Sequence, residues 1–184
     1  MAAVEFALIA PTLIVLVMGV VELAFRFRAK EEATRYVHEV SDLLSREDTL
    51  TTQDLKDLYT AAPCMMMGVD TASRVDMDIS SVGYGAAPSL TPRVYWRRVA
   101  GTSVNFNVTD LAGMGNASET VIRVGIRYRY TSPISSLFGG PTLSLVQEAI
   151  TRPRQLRVIP VDSNTDENGV AQTFTANSGT PPCT

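Results

Sequence analysis

Met1-Ala2-Ala3-Val4-Glu5-Phe6-Ala7-Leu8-Ile9-Ala10-Pro11-Thr12-Leu13-Ile14-Val15-Leu16-Val17-Met18-Gly19-Val20-Val21-Glu22-Leu23-Ala24-Phe25 opens the chain, and its reading decides the fold. From Phe6 to Val21 sixteen positions are apolar except for Thr12, with one acid, Glu5, just ahead. At about 1.5 Å per helical residue the run covers roughly 24 Å, short of a hydrocarbon core of about 30 Å; extending it to Phe25 takes in Glu22. The pattern predicts a membrane helix with two carboxylates to explain. A secretory signal peptide is the competing reading. Met1 to Val4 lacks its basic start, however, and no small-residue cleavage pattern follows Phe25 before the charged stretch Arg26 to Arg35.

The 184 residues, 45% of them hydrophobic, suffice for one membrane helix and one modest domain. Sixteen basic against nineteen acidic residues give a net charge of -3, which argues against a nucleic-acid partner. The two cysteines, Cys64 and Cys183, fit one disulfide in an oxidising compartment or two unrelated thiols. A zinc site would need further ligands, which the lone His38 cannot supply.

Past the apolar run, Ala29, Ala33, Tyr36 or Val37, Val40 and Leu43 or Leu44 recur at helical spacing, opposite Arg28, Lys30, Glu31, Glu32, Arg35, Glu39 and Asp42. No proline or glycine stands between Val20 and Arg46. One helix to about Ser45 is expected, apolar in its first half and amphipathic in its second, with Pro11 as a kink or weak point. Thr51 or Thr52 caps a second helix, Gln53 to about Ala61, which Pro63 ends. The period then changes to two. Val75 to Ile79, Arg93 to Val99, Val104 to Val108, Val121 to Tyr130 and Thr142 to Thr151 read as strands, with Gln155 to Val161 as an edge piece. In Val121 to Tyr130 the Ile122, Val124, Ile126, Tyr128 and Tyr130 face is expected to pack on the amphipathic helix. The fold class is α+β, a long helix packed against a small antiparallel sheet. Its parts are residues 1–25 in the membrane, 26–48 as amphipathic continuation, 49–161 as the α+β domain, and 162–184 as a polar tail, mobile unless Cys183 ties it to Cys64.

Lys and Arg follow the span and none precedes it, which by the positive-inside rule would leave the domain in the cytoplasm. A disulfide places it outside. Both readings hold if a basic leader ahead of Met1 has been removed; the alternative is that Met1 is the initiator and the domain is cytosolic.

A glutamate at the fifth position, followed by an aromatic residue and an apolar helix, resembles the mature N-terminus of type IV pilin-like proteins. The wording Ala2 to Pro11 is similar, more closely, to the TadE-like pseudopilins of the tight adherence (Tad/Flp) pilus system. Glu22-Leu23, Arg35-Tyr36, Val124 to Tyr130 followed by Pro133, and Thr151-Arg152-Pro153-Arg154 extend the resemblance to about Arg154. It implies a bacterial inner-membrane protein with a periplasmic domain, extracellular after assembly, and processing by the prepilin peptidase so that Met1 becomes the mature terminus. It also implies a minor role beside the major pilin and other minor pseudopilins, at the tip or in priming assembly, without cofactors.

Independently of the family, a carboxylate at the bilayer centre costs about 2.5 to 3.5 kcal/mol and calls for a partner. For Glu5 the nearest cation is a free α-amino group, its own or a neighbouring subunit's; a headgroup position is the plainer explanation. Glu22 is expected to reach the interface beside Arg26, four residues on. Met1, Glu5, Phe6, Pro11 and Glu22 are therefore the candidate assembly residues. Elsewhere no catalytic or metal constellation stands out. His38 reads as a surface or packing residue, and Asp76 and Asp78 as a solvated face in preference to calcium ligands. Asp162, Asn164 and Asp166 have calcium-loop spacing, but Gly169 is late and Thr173 stands where a glutamate is needed. Arg123, Arg127 and Arg129 read as a solubilising face or a seat for phosphate or an acidic partner, and Met65 to Met67 as local packing. The reading is a non-enzymatic pseudopilin; the rival is a monomeric single-pass envelope protein whose β-domain binds a ligand or polymer.

Overall fold

A computed structural model describes residues 2–66, 75–86, 90–132, 134, 142–154 and 157–176, with side chains from residue 5 onward. Helix α1 (Ala2–Arg46) is a single 45-residue element, about 67 Å long at about 1.5 Å per residue. It runs through Pro11 without interruption; that residue lacks the N–H that would bond the carbonyl of Ala7. From residue 29 the helix buries one stripe, Ala29, Ala33, Tyr36, Val37, Val40 and Leu44, as the spacing predicts. The small Ala29 and Ala33 let the backbone lie close to the sheet, and the Tyr36 hydroxyl donates to the Leu58 carbonyl at 3.0 Å. Burial drives the ionisation of that hydroxyl far above the usual tyrosine range.

Helix α2 (Thr52–Thr60) starts in a full capping box, the Thr51 side chain accepting from Asp54 N–H and the Asp54 carboxylate accepting from Thr51 N–H. It ends at Thr60 with Ala61 as C-cap, close to the expected limit ahead of Pro63. Pro63 occupies the first turn of a further short helix, α3 (Ala62–Met65), where a missing N–H is harmless because first-turn N–H groups have no intrahelical partner.

Among the described residues five strands follow: β1 (Val75–Tyr84), β2 (Pro92–Ala100), β3 (Thr120–Tyr130), β4 (Leu143–Thr151) and β5 (Ala171–Phe174). They form one sheet in the order β4-β3-β1-β2-β5. The expected antiparallel pairing holds for β1 with β2, β1 with β3, and β3 with β4, but β5 lies parallel to β2 and the sheet is mixed. This fifth strand lies in the polar segment 162–184, which the sequence reads as mobile unless Cys183 ties it to Cys64. Phe174, the one aromatic residue after Val161, enters the core and meets the Tyr59 ring edge-on at 5.8 Å, so the tail contributes apolar burial that its composition hides.

The helix-facing side of the sheet joins Val75, Met77, Ile79, Trp96, Ile122, Val124, Ile126 and Tyr128 to the α1 stripe in one core. Strand β1 is twice the length its alternation suggested, because at the sheet centre it is buried along its whole length and its second half need not alternate in polarity. A bulge opposite Ser81 and Val82 places Tyr95 out of register in β2, with its ring over Gly83, where a Cβ would come within 2.4 Å of it.

The far side is a charged layer, not the solvated face read from the sequence. Asp76 and Asp78 are 1% and 0% exposed. Asp76 accepts from Arg129 at 2.6 and 3.0 Å and from Thr102 N–H at 3.1 Å, with Arg127 at 3.6 Å. Asp78 takes a two-pronged contact from Arg97 at 2.9 and 2.5 Å, and this bond raises the Arg97 pKa. Fully buried Arg123 pairs with Glu148 at 2.8 Å, and its guanidinium lies 4.4 Å from the Phe106 ring centroid. That placement requires Gly125, since a Cβ there would stand 2.9 Å from Arg123 Nη2.

Residues 101–119 cover this layer. Val104 is buried and Asn105 accepts from Arg123 through its carbonyl, so the period-two pattern of Val104 to Val108 reflects a chain stacked over the sheet face. It forms no strand and ends in a 3-10 turn, Val108–Leu111. Of the expected edge piece Gln155 to Val161, the described part makes only single bridges at Val161; Gln155 and most of the Pro133 to Pro141 loop lie outside the described residues.

Removing one charge from the buried layer while the arginines stay destabilises strongly. Asp76→Asn is expected to lower unfolding stability by about 3 kcal/mol in chemical denaturation of the full chain in detergent; a loss below about 0.5 kcal/mol would show that the layer contributes little.

Candidate assembly helix and its junction with the domain

The first half of α1 has no cover within the chain. Phe6, Leu8 and Val15 are about 70% exposed, and the apolar side chains from Phe6 to Val21 are exposed around the whole circumference. A helix apolar on all sides is stable only in lipid or packed among other apolar elements. Among the described residues α1 is the one helix long and apolar enough to cross a membrane. Glu5 is exposed on its first turn; Phe6 follows it, and Pro11 lies one and a half turns further along. Met1 lies outside the described residues.

Glu22 marks the junction. Its Oε1 accepts from Arg26 Nε at 2.8 Å, the four-residue pairing expected, and its Oε2 accepts from the hydroxyl of Ser132, just past the end of β3. Instead of simply reaching toward an interface, Glu22 ties the end of the apolar half to the sheet, with its side chain only 15% exposed. The next turns carry exposed pairs, Arg28 with Glu32 at 2.9 Å and Arg35 with Glu39 at 2.6 Å, which solvent screens. Spacing alone predicts these pairs. Ser132 was missed, because nothing local in the sequence marks its tertiary contact.

The remaining candidates resolve into packing and ion pairs. His38 is exposed on α1. The calcium-spaced acids are engaged by arginines: Glu167 accepts from Arg98 at 2.5 and 2.9 Å, Asp162 lies 3.4 Å from the same guanidinium, and Asp166 pairs with Arg93. Arg98 itself is 1% exposed, a buried charge that the sequence does not single out. Hydrogen bonds from the Thr52 side chain and N–H, followed by Arg98, hold the Asp162 carboxyl below the usual aspartate range. Met65 packs on the core and Met66 is within it, while Met67 is outside the described residues. Cys64, in α3, is disulfide-bonded, and Cys183 is outside the described residues. Arg123, Arg127 and Arg129 face acids of the buried layer and form no open anion site.

The helix that carries Glu5 and the tie at Glu22 coincides with the region of likeness to known proteins. Residues 1–42 match the family model for TadE-like protein. The TadE-like match stops within α1 and includes none of the sheet. No curated protein and no solved structure matches the chain. The matched segment thus contains the whole uncovered half of the helix, the Glu22 junction and most of the buried stripe.

Two outcomes test the junction and the tail. Ser132→Ala removes the donor to Glu22 and leaves the Arg26 pair, so amide exchange at residues 22–28 in the detergent-solubilised chain is expected to quicken several-fold; unchanged exchange would show the tie to be idle. Because the folded-state pKa of Asp162 is depressed, its contribution is fully present above its ordinary value near 3.8 and is lost as the pH falls through the lower folded value. Denaturation midpoints of the wild type and Asp162→Asn should therefore differ at pH 6 and converge toward pH 2. A pH-independent difference contradicts the assignment.

Proposed function

We propose that this chain is a minor pseudopilin of a tight adherence pilus, anchored in the inner membrane by the first half of α1 and co-assembling through it with the major pilin and other minor pseudopilins. The observation that carries the reading is the apolar half-helix exposed on every side, beginning at Glu5 and lying inside the segment that matches the TadE-like family. The family is one of pilus components, and the chemistry of the helix supplies the reason. Apolar side chains at full exposure gain by packing against lipid or against like helices, and one carboxylate among them is costly until a cation meets it.

In this reading Met1 is the mature terminus left by the prepilin peptidase, and its α-amino group, or that of a neighbouring subunit, meets Glu5 in the assembled bundle. Phe6 packs against adjacent helices, and Pro11 locally weakens the helix where subunits must adjust. The domain is periplasmic and becomes extracellular with the assembled structure, at its tip or in its priming complex. The disulfide of Cys64 with Cys183, the chain's other cysteine, accords with that compartment.

Glu5→Gln and Glu5→Ala should leave the protein resistant to alkaline extraction from membranes. Recovery of other pilin-like subunits with it should fall about tenfold or more, equivalent to ~1.4 kcal/mol or more of lost association energy. Undiminished co-purification and piliation would sink the role given to Glu5, and a chain that purifies alone with a soluble ligand would favour the monomeric binder.

A further inference from the structure

Between the end of α1 and α2 lies a groove unrelated to the anchor. Leu43, Leu44, Leu50 and Leu58 line it together with Glu47, Asp54 and Asp57. Leu43 is 47% exposed there, and no basic side chain lines the groove. Asp54 also closes the α2 capping box, and Asp57 accepts from Gln53 at 2.9 Å, while Glu47 has no ion pair among the described residues. A groove lined by leucines and carboxylates fits a segment with a large apolar side chain flanked by cations.

The chain contains such a segment at residues 26–30, Arg26-Phe27-Arg28-Ala29-Lys30. Phe27 is 59% exposed. Lys30, one helical turn on, is exposed and has no ion pair among the described residues. Phe27 and Leu44 are about 25 Å apart along the axis at about 1.5 Å per residue. Because α1 is one uninterrupted helix, the segment cannot fold back into its own groove, and only another molecule can supply it. We propose that this groove seats residues 26–30 of a second copy of the chain, displaced along the helix axis by about 25 Å. Phe27 then lies against the leucines, and Lys30 and Arg28 face Glu47 and Asp57. The proposal rests on the co-assembly reading above and adds to its partners a second copy of this chain, in a stated register.

The test places p-benzoylphenylalanine at position 27 of the full-length chain in host cells, recovers the assembled subunits released from the inner membrane, where an axial displacement is possible, and maps the photo-adduct. The expected product joins position 27 to residues 43–61 of a second copy. Glu47→Lys with Asp57→Lys should cut its yield about tenfold or more, and adding Arg28→Glu with Lys30→Glu should restore it. Retention of the Cys64 disulfide serves as the control for folding. An adduct elsewhere on a second copy, an adduct solely with a different protein, or a yield indifferent to charge reversal overturns the proposal. A parallel probe at Leu13 separates the two claims. If position 13 links to pilin-like subunits while position 27 misses the groove, only the groove seat falls. If neither links to any subunit, co-assembly falls and takes the groove seat with it.

Discussion

The structure depends on the packing of one stripe of α1 onto one face of a sheet. Ala29, Ala33, Tyr36, Val37, Val40 and Leu44 share a core with residues of all five strands, and a single helix of this length gains most of its stability from such packing, not from helix propensity. The same rod that anchors the domain therefore extends beyond it without support, and the change from covered to uncovered side chains falls between Glu22 and Ala29. Glu22 holds that border from the uncovered side, with Arg26 on its own helix and Ser132 from the sheet. Position and orientation of the domain relative to the apolar half follow from this short interval.

The sheet's second face solves a different problem. Strands β1 and β3 are buried on both sides, yet the far side carries four arginines and three acids across β1 to β4. A buried charge is tolerable when paired and hydrogen-bonded, and here the pairing is dense: Asp76 serves Arg127 and Arg129, Asp78 serves Arg97, and Glu148 serves Arg123. The cover of residues 101–119 adds Phe106 against two guanidinium groups and Thr102 N–H against Asp76. Such a layer constrains register, since sliding β3 by one residue against β1 would move the arginines to the helix side, among Ile79 and Trp96.

Much of this was legible in the sequence, for physical reasons that differ by element. The limits of α1 followed from an apolar run joined to an amphipathic one with no glycine or proline between Val20 and Arg46. The limits and facing of β3 followed from a clean period of two, and the α2 cap from Thr51. The rest depended on contacts distant in sequence. Alternation says that Asp76 and Asp78 share a face, but whether water or arginine meets them is decided by residues 19 and 53 positions away. Phe174 looks like a stray aromatic in a polar tail until β2 offers its edge, and the acids before it look like a cation loop until Arg98 and Arg93 occupy them. At the anchor, Glu22 with Arg26 could be read from spacing, whereas Ser132 lies 110 residues away.

The lack of any interruption in α1 after Gly19 has a mechanical consequence. Tension applied along the apolar half enters the domain parallel to the packed stripe, so it loads the whole length from Ala29 to Leu44 in shear. A hinge between the two halves would instead peel contacts away one at a time. Shear engages many side chains together, and the strands beside the helix share that load through the common core. Separating the domain from the helix by axial tension would require these contacts to give way together.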